Sequence, residues 1–386
     1  MRGLNANILY FIKNSDNNIA VTIRAILKDI KDGNKNKLFF GIRENSIAIY
    51  SKGARVIEIN FNKDGNVKDC KTNIKYLDEN YKGKSRDEKI PLDIISVRYF
   101  YELLEKVNNY IIHGKDSKTI EKQYQQQLML SNNDPNINSK WFCYDIEYYM
   151  GKYGYGRYDI LAVTTVANKY GEYSISLVEV KVDKSSFGTD GNDIKGLLEE
   201  GKVVKISRGK YEVRSKLDLA KNKYKYSLGS GILGHFSDYI RYINDEEYLK
   251  EKGVSRFDTT KQELVTILNN YIELGLYNEQ VEKIARILTV ERISNTPKFL
   301  FLNYAKNIEV KKLRESFKNY VLGTSDLSIA KVWNEKIIDK YNQKNSQIQF
   351  KCIFRDKFPE DEANREIFSD VEISEAKNIF DEEAYK

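Results

Sequence analysis

Histidine is nearly missing from this chain: His113 and His235 are the only two in 386 residues. Histidine-rich metal sites are therefore excluded. Cysteine is almost as scarce, and Cys70, Cys143 and Cys352 stand far apart. That spacing suits neither a disulfide framework nor a Cys-type zinc site, and it fits a reducing cytosol. No run approaches the roughly 18 to 20 apolar residues that a membrane span needs. The opening MRGLNANILYFIKNSDNN has no continuous apolar core and no small-residue cleavage site, so no signal peptide is expected and the expected location is cytoplasmic.

What is abundant is charge. Charged residues make up 31% of the chain and hydrophobic ones 41%, the balance of a globular protein large enough for two or three modules. The formal net charge of +7 hides a split. Residues 360–386 hold ten acidic side chains against three basic ones, which leaves the first 359 residues at +14. A basic body with an acidic tail points to a polyanion partner, with the tail solvated or competing for the basic surface; the alternative is that the charge only solubilises.

Residues 1–112 form an N-terminal α+β module. IAVTIRAILKDI (19–30) has the spacing of a short helix, and KLFFGIR, SIAIYSK and RVIEINF, parted by turn residues, predict a small antiparallel meander. ENYKGKSRDEK (79–89) is expected to be a loop, and 92–111 a helix. Helix is also expected over 118–131, followed by strands over 141–149, 157–167 and 173–183, whose glycine-bearing connections suggest neighbours in one antiparallel meander. A Lys-rich insertion fills 184–229. Helix is expected over 231–243, mostly helix over 245–292, strand over 297–305, helix over 308–320 and strand over 348–356. The resulting division is 1–112, 113–320 and a C-terminal segment 321–386 with the acidic tail.

One tripeptide asks for a chemical explanation. YSISLVEVKVD (173–183) closes an apolar strand with Glu179 and Lys181, which alternation places on one face while Val178, Val180 and Val182 take the other. Glu-x-Lys recurs at 200–202, 309–311 and 375–377, and 309–311 is the same Glu-Val-Lys, so the letters alone carry little. Context separates the copies. Asp159 heads the preceding strand, and a hairpin would bring its carboxylate beside that of Glu179, whereas Glu309 stands at what looks like a helix start. Two carboxylates and a lysine suit a hard divalent cation such as Mg2+, which takes a few carboxylate oxygens and accepts phosphate oxygens besides. Lysine beside it can orient water or neutralise charge developing on phosphate.

Asp159, a hydrophobic strand, then Glu179-Val180-Lys181 resembles the signature of the PD-(D/E)XK nuclease superfamily, and the element order is similar to its restriction-endonuclease-like αβββαβ core within a mixed α/β (α+β) fold. The resemblance covers roughly 118–245, with a further reach to 320. Tyr158 stands where the family name has proline, and the insertion 184–229 is long. The resemblance implies that Asp159, Glu179 and the Val180 carbonyl hold Mg2+, with Mn2+ as a substitute, and that Lys181 serves the nucleophile. It also implies an acid from the first helix, for which Glu121 is placed, and a polar side chain from the helix after the third strand, for which His235 and Asp238 are the candidates. The implied activity is an endonuclease cutting DNA, with RNA second, in a prokaryotic restriction or antiviral defence system; a homodimer is compatible with it. A catalytically inactive nucleic-acid-binding module on the same fold is the alternative.

Each residue also has a plainer reading. Glu179 and Lys181 could form an ion pair at an exposed strand end, worth well under about 1 kcal/mol. Glu147 shares a strand face with Asp145 and could be a further acid of the site, a solvated face being the plainer account. Glu121 could be an ordinary helix-surface acid, and His235 could pack under the sheet. In the insertion, Lys184, Lys202, Lys205, Arg208, Lys210 and Arg214 are candidate phosphate contacts, and Tyr211, Tyr224 and Tyr226 could stack on bases, against the alternative of a solvated loop. Tyr153, Tyr155 and Arg157 in the first hairpin loop are candidates for the site entrance, but tyrosine is too common here, at 28 residues, to lean on.

Overall fold

The alternating residues of the N-terminal region form β1 (Leu38–Arg43), β2 (Ser46–Ser51) and β3 (Ala54–Phe61), joined as antiparallel neighbours. Between β2 and β3 the two loop residues Lys52 and Gly53 both have positive φ, 48° and 78°, the backbone of a type I′ hairpin turn. The meander is longer than the sequence suggests. β4 (Val67–Asn73) and β5 (Asp87–Ile90) extend it to five strands, so the stretch expected as a loop over 79–89 ends inside a strand. β5 pairs on one side only and is mostly charged, which hides it from apolar periodicity. Helices α1 (Ala6–Asn14) and α2 (Asn18–Lys31) start at Asn5 and Asn17, whose side chains accept backbone N–H groups, and they bury Ile8, Ile12, Ile19, Ile23 and Ile26. A short helix, α3 (Ile74–Leu77), follows β4, and α4 (Val97–His113) packs on the sheet.

This computed structural model describes residues 2–78, 81, 83–84, 86–113, 117–132, 141–149, 157–183, 203–207, 210–213, 232, 235, 239, 242–243, 245–276, 279–319 and 350–355. Its second sheet has the order β12-β11-β8-β7-β6, from β6 (Trp141–Tyr149), β7 (Arg157–Thr164), β8 (Ile175–Val182), β11 (Lys298–Tyr304) and β12 (Phe350–Arg355). β6, β7 and β8 are antiparallel in sequence order, while β11 runs parallel to β8 and β12 parallel to β11. Between them β9 (Val203–Ser207) and β10 (Lys210–Val213) make a separate hairpin. The chain thus runs helix α5 (Ser117–Asn132), three antiparallel strands, helical residues at 232, 235, 239, 242 and 243, helices α6 (Glu246–Lys252), α7 (Arg256–Glu273) and α8 (Glu279–Ile287), strand β11, then α9 (Val310–Lys318) and β12. It is a mixed α/β architecture. Among the described residues no helix is long and apolar enough to cross a membrane.

β8 is buried along its whole length because both faces are covered. Tyr124, Leu128 and Met129 of α5 join Val178, Val180 and Ile160 in one apolar cluster; Leu177, Leu161 and Phe299 join Tyr239 and Tyr242 in another. Three ties fasten the N-terminal sheet to this one. Gln126 of α5 accepts the Gly53 N–H at 2.5 Å and donates to the Lys37 carbonyl at 2.7 Å. Asn270 of α7 accepts the Leu4 N–H at 2.8 Å and donates to its carbonyl at 3.2 Å. Asp145 of β6 pairs with both Arg2 and Arg43. Gly53 is required at the first of these ties: a Cβ there would stand 2.2 Å from the Lys122 carbonyl oxygen.

Candidate active site

The two strands that carry the acids part company where the acids lie. Pairing between β7 and β8 runs from Val163↔Ile175 to Ile160↔Val178 and ends there. One residue beyond, the Asp159 carboxylate takes over from the ladder and accepts the Val180 N–H at 2.7 Å. A buried backbone donor left without a partner costs about 1–3 kcal/mol, so this bond holds the splayed end open and fixes Asp159 against β8.

Into the opening project the side chains singled out from the sequence. The Lys181 ammonium lies 2.5 Å from Glu179 Oε1, 3.1 Å from the Val180 carbonyl oxygen and 3.5 Å from Glu121 Oε1. It is 3.8 Å from Asp159 Oδ2. His235 Nε2 stands 3.4 Å from Glu179 Oε1. Glu121, Asp159, Glu179 and the Val180 carbonyl therefore meet around the Lys181 ammonium, and His235 adjoins the group at Glu179. The pair is no exposed strand end, since Glu179 is 1% exposed and Lys181 8%. By contrast, Glu309 in the second Glu-Val-Lys stands at the N-cap position of α9 with no side-chain capping bond, its side chain 70% exposed.

Three carboxylates share this one ammonium, and for Asp159 and Glu121 burial raises the pKa despite it. Burial and the neighbouring Glu179 charge push Asp159 up to about 7, against the pull of Lys181 and of the Val180 N–H. Burial likewise raises Glu121 to about 7; Lys181 opposes it, while Asp159 and Glu179 add to it. Burial acts to lower Lys181, but the charges of Glu179, Asp159 and Glu121 outweigh it and hold the ammonium firmly protonated.

Whether a divalent cation suits these residues turns on the donor set. The donors are hard carboxylate and carbonyl oxygens, already gathered on a cationic stand-in, the ammonium, and short of positive charge. With the ammonium among them, the described side chains form no group of three or more His, Cys, Asp or Glu set to hold a metal ion as they stand. The chemistry of the donors fits Mg2+ or Mn2+, and Lys181 is the side chain that would yield place.

Tyr239 is the participant that sequence reasoning missed. Its hydroxyl donates to Glu179 Oε2, the carboxylate oxygen turned away from Lys181. The ring is fully buried, stacked on Phe299 with centroids 5.5 Å apart and meeting Tyr158 at 4.4 Å. Burial and the Glu179 charge drive the phenol well above its ordinary range, so it remains a donor. The available signal was spacing: Tyr239 follows His235 by four residues and shares its helical face. Tyr158, at the proline position of the resemblance, is the buried ring against which Tyr239 rests.

Other expectations need correction. Asp145 is not on a solvated face: it is fully buried between Arg2 and Arg43, because a register shift between Cys143 and Asp145 turns it toward the N-terminal sheet. Glu147 does reach solvent in part, but it pairs with Lys122 at 2.8 Å and Arg157 at 3.6 Å, apart from the Asp159 cluster. Lys184, Lys202, Arg208, Arg214, Asp238, Tyr224, Tyr226, Tyr153, Tyr155 and the acidic tail lie outside the described residues. Lys205, Lys210 and Tyr211 belong to the β9–β10 hairpin, of which only the backbone is described. No family model, curated protein or solved structure matches this chain.

Proposed function

We propose that this protein is a divalent-cation-dependent nuclease that hydrolyses phosphodiester bonds of DNA, with RNA as its second substrate, on a restriction-endonuclease-like αβββαβ core. The observation that carries the reading is the convergence of Glu121, Asp159, Glu179 and the Val180 carbonyl on the Lys181 ammonium. The order α5, β6-β7-β8, helical residues 232, 235, 239, 242 and 243, and parallel β11 supports it. So does the basic charge of the first 359 residues. The three cysteines are free and buried, which suits a reducing compartment such as the cytoplasm.

Asp159, Glu179 and the Val180 carbonyl would hold the cation, with Glu121 beside them. When bound, Mg2+ or Mn2+ accepts phosphate oxygens and acidifies its water. The protein's own residues do the rest. Tyr239 fixes the rotamer of Glu179, and the Val180 N–H fixes Asp159, so that both acids are placed before substrate arrives. Lys181, held protonated by its three acidic neighbours, donates hydrogen bonds where negative charge builds on phosphate. Glu121, a carboxylate beside this group, can take a proton from water. His235 borders Glu179 from the opposite wall.

The test is incubation of DNA and of RNA with the protein and Mg2+ or Mn2+, alongside Glu179→Ala and Lys181→Ala. Metal-dependent cutting by the wild type that both substitutions abolish is the expected result. Equal residual cutting by all three sinks the reading, and binding without cutting by the wild type turns it into an inactive binding module.

A further inference from the structure

A cavity of about 1090 Å3 lies between the N-terminal sheet and the β6 edge of the site-bearing sheet. Tyr50, Tyr76 and Tyr110 line one wall, and Lys122, Glu147 and Arg157 line the other. Its volume lies just above the roughly 300–1,000 Å3 typical of small-ligand sites. The Tyr110 ring is 45% exposed and meets Tyr76 edge-on at 5.5 Å, so an aromatic surface faces the space. Of the three rings Tyr110 alone is exposed, and the lining mixes Arg and Lys with Glu44, Glu58, Asp87 and Glu263. A cation beside an exposed ring is what a single nucleic-acid strand uses, phosphate going to the cation and an unpaired base to the ring. A duplex has its bases already stacked on one another and makes no use of such rings.

No member of the carboxylate cluster is among the described residues that line the cavity, but two lining residues adjoin members of the cluster along the chain. Lys122 directly follows Glu121 on α5. Arg157 precedes Asp159 by two residues on β7, about 7 Å along a strand. Both cationic heads reach solvent, with side chains 46% and 60% exposed, and both are held by Glu147. Glu147 itself sits in the left-handed region at φ 49°, a backbone state that non-glycine residues keep only where surroundings enforce it and that gathers at functional sites. Glu147 thus occupies, as a carboxylate, the position between two cations that a phosphate would take.

Resting on the nuclease reading above, we propose that this cavity is the channel for a single strand of nucleic acid leading to Asp159 and Glu179. Lys122 and Arg157 are its phosphate contacts at the mouth, and Glu147 is the carboxylate they exchange for phosphate. The test uses the full chain in EDTA, so that nothing is cut, and fluorescence anisotropy of a short labelled single strand and of its duplex. The double variant Lys122→Ala/Arg157→Ala is expected to bind the single strand at least tenfold more weakly. Its slope of log K against log[salt] is expected to be shallower by about 1.4, since each single-strand phosphate contact contributes about 0.7. Tyr110→Ala should weaken single-strand binding without changing that slope. Unchanged affinity and slope in the double variant overturn the channel, as does an equal or greater loss of duplex binding. Cutting that depends on Glu179 while strand binding ignores Lys122 and Arg157 removes the channel and leaves the nuclease; strand binding through those residues by a wild type that never cuts does the reverse.

Discussion

Two buried acidic clusters sit on neighbouring strands of one sheet, and they are built on opposite charge balances. At Asp145 one carboxylate is clasped by two guanidiniums, Arg2 and Arg43, and Arg43 also donates to the Ile146 carbonyl at 2.7 Å. At Asp159 three carboxylates share one ammonium. The first cluster joins the N-terminal segment and sheet to β6 and leaves its acid no missing partner. The second is short of positive charge, and burial, with the neighbouring carboxylates adding to it, raises Asp159 and Glu121 to about 7. Burial of acids is thus common to both, and what sets the second apart is its surplus of negative charge, on which the proposed cation site rests.

The contrast can be broken most forcefully at the reacting side. Glu179→Ala or Lys181→Ala is expected to lower metal-dependent cleavage by about 10³-fold or more, measured as single-turnover rates, while Asp145→Asn leaves the rate of the folded fraction within a few-fold. On stability the order reverses. Asp145→Asn strands two buried guanidiniums and is expected to cost about 3 kcal/mol or more in urea unfolding, with no rescue by Mg2+. Lys181→Met strands three carboxylates, so its cation-free form is also destabilised, but divalent cation should restore it by mass action.

Acidity gives a subtler division. Because the folded pKa values of Asp159 and Glu121 lie above their ordinary ones, the cation-free fold retains protons that the unfolded chain releases. That contribution to stability is full below about pH 4 and is lost as pH rises toward 7. Cation affinity moves the other way, tightening by up to about tenfold per pH unit for each proton displaced until about pH 7, then levelling. Smaller still is Tyr239→Phe. It keeps the buried ring and removes one hydrogen bond to a charged oxygen, so the unfolding free energy of the cation-free protein in urea is expected to fall by about 1.5 kcal/mol. The least effect belongs to Glu309→Ala, which should alter neither cleavage nor stability beyond about 0.5 kcal/mol.

Why the second cluster was legible in the sequence and the first was not follows from how each is assembled. Glu179, Lys181 and Asp159 lie on adjacent strands of one meander, so alternation and a short hairpin suffice to bring them together, and Glu121 enters from the helix just before. The αβββ order around them follows from periodicity alone. Asp145 meets Arg2 and Arg43 across more than a hundred residues and only because a bulge turns it, and no local pattern encodes that. Tyr239 escaped notice for a different reason: a tyrosine in a Tyr-rich apolar helix looks like core, and it is core except for one hydroxyl. β5 escaped because DEKI is charged where strand signals are sought.

Calorimetric titration of the full chain with Mn2+ at pH 6 and pH 8, beside Asp159→Asn and Asp145→Asn, bears most directly on the charge-deficient cluster. Saturable binding that tightens from pH 6 to pH 8, persists in folded Asp145→Asn and disappears in Asp159→Asn is the predicted result. No saturable binding by the wild type, or binding that Asp159→Asn leaves intact, would contradict the assignment of this cluster as a cation site.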